Sequence, residues 1–352
     1  MQKSLPARVM ESPGYHYIFF DQDSIIQEQF AGYQNVEQQV PVNSNTSFRA
    51  FSITKTFTAV GVMQLVENGL IDIDAPIQHY IAEYKFSEDV TIRHLLNHQS
   101  GIGNPIPLRW THLKEDHDSF QSSQFADSLI KEALELKRKP GTKFSYSNIN
   151  YLVLGRLIEE VTGENYEAYI SDNIIAPLGL TNEMGFDYPE ENQATGYHKN
   201  SFLQNLILGM LLDLDTVTYP ANEKWRGFHP FYLNGAAYGG LFSNAAGLMG
   251  FGQALLSKDD QLLAASGVDL MFSNQRVRGG KLTGMSLGWF VGTIHEAQYV
   301  HHAGGGGGYY AELRIYPELG VGSVVMMNSS GMKDHRILDQ LDESFIRSKM
   351  NR

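Results

Sequence analysis

The spacing of hydrophobic positions changes twice along the chain. Residues 15 to 50 carry short apolar and aromatic runs, Tyr15-His16-Tyr17-Ile18-Phe19-Phe20 the clearest, interrupted by Asp, Gln, Asn and Gly. Runs of this length broken by turn formers predict strands. From Thr56 the period lengthens: Phe57, Val60, Met63 and Leu65 form an apolar stripe that stops at Asn68-Gly69, a helix-ending signal. Residues 72 to 235 read mostly as helices and loops. Helices are predicted over Thr91 to Asn97, over Phe125 to Leu136 ahead of Pro140-Gly141, and over Ile149 to Val161 ahead of Thr162-Gly163. Beyond Gly239-Gly240 a further helix runs through Leu255. Strand-like segments return at Gly288 to Thr293, Ala311 to Tyr316 and Gly322 to Met327, and His335 to Lys349 is again helical in spacing. Strands at both ends with helices between predict an α/β (α+β) fold. One domain is built from residues 1–75 and 236–352, and a mainly helical domain, 76–235, is inserted into it.

Composition narrows the partners more than the fold. A length of 352 residues suits about two domains, and 42% hydrophobic with 19% charged residues is ordinary for a globular protein. The net charge of −12 argues against a nucleic-acid partner, because the densest basic run is only Lys137-Arg138-Lys139. No window reaches the ~18 apolar residues of a membrane span. The N-terminal segment lacks a secretory apolar stretch, so a cytoplasmic location is expected, or a periplasmic or secreted one if a leader has been removed. The chain has no cysteine, which excludes disulfides and thiolate chemistry.

Candidate chemistry begins with a run of five glycines, Gly304 to Gly308, preceded by His301-His302-Ala303. A dinucleotide fingerprint fails there because Tyr309 or Tyr310 falls on its last glycine position, and no Gly-Lys-Ser/Thr ending marks a phosphate loop. His295-Glu296 begins a zinc-helix motif that Tyr299 breaks. Adjacent His301 and His302 point to opposite faces of a strand and could not share a metal there; no metal and no cofactor is expected. The G-x-S-x-G elbow of the α/β-hydrolases is absent, which leaves serine chemistry with a lysine partner.

Ser-x-x-Lys occurs three times, at Ser52/Lys55, Ser128/Lys131 and Ser330/Lys333. Ser128 falls within an amphipathic helix and Ser330 in a turn, so both read as structural. Ser52 sits where an extended segment meets the apolar helix, with free backbone N–H groups and the helix dipole favouring negative charge at its oxygen. Lys55 returns to the same face, and desolvation by Phe51 and Phe57 would let it take the serine proton. The bland alternative is an N-cap serine with a surface lysine. Tyr-x-Asn also occurs three times, and only Tyr146-Ser147-Asn148 stands on a loop before a helix where a phenol and a carboxamide can face one cleft.

These residues in this order resemble the serine β-lactamase and penicillin-binding protein family, nearest its class C, DD-peptidase and family VIII carboxylesterase branch. The resemblance runs from Tyr15 to Ser329. It includes Phe48 to Lys55, Leu65 to Asp74, Thr91 to Gly101, Pro140 to Gly155 and Gly239 to Ser243. It implies a β-lactamase-like fold, with a central antiparallel sheet flanked by helices. It further implies that Ser52 is the acyl-accepting nucleophile, Lys55 its activating partner and Tyr146 the general base and acid. Asn148 would touch substrate or hold Lys55. Where the family carries Lys-Thr-Gly, this chain has His302-Ala303-Gly304: His302 and Gly304 would border the substrate, and the N–H groups of Gly305 and Ser52 would form the oxyanion hole. A histidine is mostly neutral at pH 7 where a lysine is a cation, which moves the expected substrate toward neutral small-molecule esters, amides or peptides. The resulting expectation is a serine hydrolase of esterase or D-amino-acid peptidase type working through an acyl-enzyme. The alternatives are a β-lactamase proper, or a non-catalytic module binding peptides or cell-wall fragments. Residues 202 to 212, the most apolar stretch, read either as a core helix or as an apolar lid over the site.

Overall fold

The computed structural model describes residues 9, 11–105, 110–209, 213–330 and 337–350. The chain opens with β1 (Gly14–Asp21) and β2 (Ile25–Asn35), then two-residue strands β3 (Val40–Pro41) and β4 (Phe48–Arg49). Helix α1 (Thr54–Glu67) follows, and nearly every residue of it is buried, including Phe57, Val60 and Met63. A helix that buries its whole circumference belongs to the centre of a core. It ends at Asn68, with Gly69 in the left-handed region at φ 68°, the conformation glycine adopts without Cβ strain.

Helices dominate the next stretch: α2 (Ile92–Leu96), α3 (Ser122–Glu132) and α4 (Asn148–Thr162), the last closed by Gly163 at φ 74°. Short strands follow. Among them β7 (Tyr197–Lys199), β8 (Thr218–Pro220) and β9 (Trp225–Phe228) form a small antiparallel sheet, and β10 (Phe231–Leu233) pairs with β5 (Thr111–Leu113). Their spacing hides them from a periodicity reading, because three or four residues do not establish alternation. The segment predicted as strand before β12 (Phe290–Ile294), and those at β14 (Tyr309–Tyr316) and β15 (Val321–Met327), match within a few residues. Between them β13 runs over Ala297–Gly306 and carries the first three of the consecutive glycines.

The main sheet has seven antiparallel strands in the order β12-β13-β14-β15-β1-β2-β3. The two chain ends meet in it as β1 pairs with β15. Alternation along β1 divides its side chains between two cores. Ile18 and Phe20 join Leu313, Val324 and Met326 under the large helical layer that contains α1, α4 and the helix Ala245–Ser257. Tyr17 and Phe19 join Tyr316 and Val325 under the last helix, Ile337–Met350, through Leu338 and Ile346. The sheet is therefore covered on both faces, which accounts for eight consecutive buried or nearly buried residues in β1. No described helix is long and apolar enough to cross a membrane.

Candidate active site

Ser52 stands where three pieces of this architecture converge. Strand β4 delivers the backbone to a single 3-10 turn, Phe51–Ile53, which runs directly into α1. Phe51 holds φ 46° although it is not glycine, a conformation that costs on the order of 1–3 kcal/mol and persists only where its surroundings impose it. The strain turns the chain so that Ser52 does not cap the helix: neither helix start receives a side-chain capping bond. Its Oγ is left for other partners. Lys55 Nζ lies 3.1 Å from Ser52 Oγ, and the Tyr146 hydroxyl donates to the same oxygen at 3.0 Å.

Lys55 is completely buried. It donates to the Tyr238 carbonyl at 2.7 Å and lies 5.1, 5.6 and 5.4 Å from the ring centres of Tyr146, Tyr151 and Tyr238. No described carboxylate pairs with it within 4 Å. Burial without a counter-charge therefore holds its ammonium well below the usual lysine range. Burial pushes the Tyr146 phenol the other way, above its usual value, opposed by the bond to Ser52. The pair thus presents an amine that gives up its proton more readily than an exposed lysine and a phenol that holds its proton more firmly than a free one.

The loop that carries Tyr146 is braced by His98, a residue not singled out from the sequence. His98 is buried at φ 56°. Its carbonyl accepts Ser145 N–H at 2.8 Å, its Nδ1 accepts Ser147 N–H at 3.2 Å, and its ring lies 4.4 Å from that of Tyr146. Burial and then the nearby Lys55 hold the imidazole well below its usual pKa, so it is neutral. Asn148 opens α4 and borders the cavity beside Ser52; its buried Oδ1 has no partner among the described residues, so it makes no bond to Lys55.

Strand β13 completes the site from the other side. His301 is its last residue paired with β12, so among the described strands the edge from His302 to Gly306 has no neighbour there. That edge presses against the turn at Ser52. A methyl group on Gly304 would lie 2.1 Å from the Ala50 carbonyl oxygen and 2.8 Å from Ser52 N, so only glycine permits the approach. Gly305 lines the cavity together with Ser52. Gly306, Gly307 and Gly308 take φ values of 154°, 44° and 87° and form the turn into β14. His302 lies inward on the same strand, 1% exposed, near the Phe290 ring at 5.4 Å and the Tyr146 ring at 6.4 Å. It is not on the cavity wall. Its Nδ1 lies 2.9 Å from the Ala303 carbonyl, its Nε2 has no described partner, and burial, then Lys55, keep it neutral.

In front of Ser52 lies a cavity of about 600 Å³. Phe51, Leu113, Phe228, Phe231 and Leu233 give it an apolar wall, and Leu208 and Val217 close one side. Leu208 belongs to the helix Phe202–Gly209, within the stretch expected to be core or lid. Phe202 is 85% and Leu206 46% exposed, so these two side chains are outside any core, while Leu208 lines the cavity. Residues 210–212 lie outside the described residues.

Of the other two Ser-x-x-Lys sites, Ser128 donates to the Phe125 carbonyl on the exposed face of α3, and Lys131 pairs with Glu83. Ser330 borders the cavity, while Lys333 lies outside the described residues.

A helix-covered antiparallel sheet whose strand β13 faces a serine bonded to both a buried lysine and a tyrosine defines a site of the serine-hydrolase type. The Beta-lactamase family model matches residues 5–345, and the chain belongs to that family. It is 27% identical over 285 residues to a penicillin-binding protein of Bacillus subtilis (strain 168), covering 79% of this chain and 60% of that protein. It is 28% identical over 195 residues to Protein flp of Staphylococcus aureus, covering 53% of this chain and 38% of that protein. The chain therefore spans only part of the length of these relatives. Among solved structures it resembles the octameric penicillin-binding protein homologue from Pyrococcus abyssi, with TM-score 0.78, 25% identity, and 97% of this chain and 75% of that chain covered. It also resembles D-amino acid amidase from Ochrobactrum anthropi SV3, with TM-score 0.78, 21% identity, and 97% and 96% covered.

Proposed function

We propose that the protein is a serine hydrolase that forms an acyl-enzyme at Ser52 from a neutral ester or amide whose acyl part is apolar. The observation that carries this reading is Ser52 Oγ lying 3.1 Å from a fully buried Lys55 and 3.0 Å from Tyr146. The unprotonated Lys55 nitrogen takes the Ser52 proton as Oγ attacks the carbonyl carbon. The N–H groups of Ser52 and Gly305 hold the carbonyl oxygen as it becomes an anion. When the tetrahedral adduct collapses, Tyr146 gives its proton to the departing oxygen or nitrogen, and the proton on Lys55 restores the phenol. Water then repeats the sequence on the acyl-enzyme and releases the acid.

The lining of the cavity supports the substrate class. Among the described residues it contains no lysine or arginine, and its one formally charged side chain there is Asp116. His302 is neutral and removed from the wall. A substrate carboxylate would find no lysine or arginine among the described residues there, which favours neutral acyl compounds over β-lactams. A non-catalytic binding module has no use for a buried amine held against a serine.

The test is labelling by a fluorophosphonate and by a penicillin probe, with a panel of p-nitrophenyl esters, D-Ala peptides and nitrocefin, in wild type and Ser52→Ala. Labelling and ester turnover in wild type that vanish in Ser52→Ala are expected. Labelling that persists without Ser52 would sink the assignment.

A further inference from the structure

Three residues before Ser52, Arg49 raises a question that the chemistry above leaves open. It is 1% exposed, and its Nη1 and Nη2 make no hydrogen bond to any described residue. Its guanidinium carbon lies 4.0 Å from the ring centre of Phe231 and 4.2 Å from that of Phe242, so the aromatic rings cover its faces. Cation–π contact of this kind offsets part of the cost of burying charge. It leaves the N–H groups unanswered, because a guanidinium donates only in its own plane. Burial lowers the guanidinium to about 10, and it therefore stays charged at neutral pH. Among the described residues no carboxylate pairs with it. Glu37 accepts instead from the Tyr197 hydroxyl.

Arg49 lines a cavity of about 220 Å³, distinct from the one before Ser52 but sharing Phe228, His229 and Phe231 with it. Among the described residues no Asp or Glu lines this second cavity. Tyr188, Tyr219, Tyr309 and Asn35 do, with Arg49 as its one formal charge. The Tyr309 hydroxyl is committed to the Ala194 carbonyl at 2.6 Å, whereas the Tyr188 hydroxyl makes no bond to another described residue. A fixed cation with a planar donor fork, a free phenol and a small enclosed volume together fit a carboxylate.

We propose that this cavity is a binding site for a small carboxylate, held by the guanidinium of Arg49 with the Tyr188 hydroxyl as a further donor. The carboxylate is either a free acid of a few carbons or the far end of a substrate whose uncharged portion fills the apolar cleft and whose acyl carbon lies at Ser52; the recognition chemistry is the same. The site does not depend on catalysis, so it is tested in Ser52→Ala protein, where failure of the hydrolase reading leaves the result unaffected.

Thermal unfolding is followed while sodium acetate replaces sodium chloride at constant ionic strength. A saturable rise in Tm, on the order of 2–4 °C, is expected, and Arg49→Met should abolish it. Arg49→Lys keeps the charge but loses the fork, and Tyr188→Phe loses one donor; each should weaken acetate binding severalfold, and they decide the matter if Arg49→Met does not fold. No rise with acetate beyond that with chloride, or an equal rise in Arg49→Met, overturns the proposal. In catalytically intact protein, p-nitrophenyl hemiglutarate is compared with its methyl ester. A preference for the free acid that falls about tenfold in Arg49→Met identifies a substrate-borne carboxylate. Equal rates for the two esters, together with the acetate shift, identify a free acid.

Discussion

Substituting Gly304 by alanine tests the approach of β13 to the nucleophile most directly. The added methyl would stand 2.1 Å from the Ala50 carbonyl oxygen, 2.8 Å from Ser52 N and 2.9 Å from Phe51 Cβ, against ordinary contact beginning at 3.4 Å. The shortfall is therefore roughly 1 Å against backbone, which cannot rotate away as a side-chain tip can. Either β13 or the Ser52 turn must retreat by that amount, and the turn is already held by the strained Phe51. A misplacement of about 1 Å in a catalytic constellation costs about 10²-fold, and the overpacking costs about 1–3 kcal/mol of stability. Gly305→Ala is the matched control, because its nearest contact would be the Tyr309 carbonyl at an unstrained 3.5 Å. Measuring kcat/KM on a p-nitrophenyl ester alongside thermal unfolding, Gly304→Ala should lose about two orders of magnitude while remaining folded, and Gly305→Ala far less. If the two variants fall within about threefold of each other and of wild type, the edge strand is not part of the acylation site.

The depressed pKa of Lys55 predicts that the acylation rate, followed by stopped-flow labelling, falls on acidification as the amine takes up a proton, with a limb well below the ordinary lysine range; Lys55→Met should lower the plateau by at least about 10³-fold. The same shift gives a stability slope. Between the native pKa and the unfolded value near ~10.4, the unfolded chain binds a proton that the native protein does not. Stability therefore rises with pH across that window in wild type, and chemical denaturation of Lys55→Met should show a flatter profile. His98→Ala should reduce kcat about tenfold with KM nearly unchanged, because His98 positions Tyr146 without touching substrate; an effect confined to KM would contradict that role. For the apolar wall, extending a p-nitrophenyl ester from acetyl to hexanoyl should raise kcat/KM by up to about fourfold per methylene, and Leu208→Asp should flatten the series.

What could be read from the sequence divides according to the range of the forces involved. Ser52, Lys55 and Tyr146 were legible because helix periodicity brings positions i and i+3 to one face and because a loop before a helix presents its side chains. The other two Ser-x-x-Lys sites were separable on the same ground: Ser128 bonds back to Phe125 as an exposed helical serine does. The glycine run was legible as edge and turn because residues without Cβ mark close approach or positive φ. The short strands from 184 to 233 were not, since two to four residues carry no period and pair only because distant partners such as Thr111–Leu113 come alongside.

Three features of the site were invisible for a stronger reason: their causes are nonlocal. Phe51 has nothing in its side chain that asks for φ 46°; β4 on one side and the packed helix α1 on the other impose it. Tyr238 serves through its carbonyl, an atom every residue has, so no residue type could have announced the bond to Lys55. His302 was expected to meet substrate, because a strand residue beside the oxyanion edge faces either the cleft or the core. In the structure it is buried, with the Phe290 and Tyr146 rings beside it. That burial also decides the electrostatics. With His302 neutral and the Lys55 ammonium disfavoured by burial, the permanent cation close to the nucleophile in sequence is Arg49, whose Nη atoms have no described partner. It lies outside the acyl cavity, on the far side of Phe231. Recognition of a negative group is thereby displaced from the strand edge to a separate compartment, and the cleft at Ser52 is left to uncharged acyl groups.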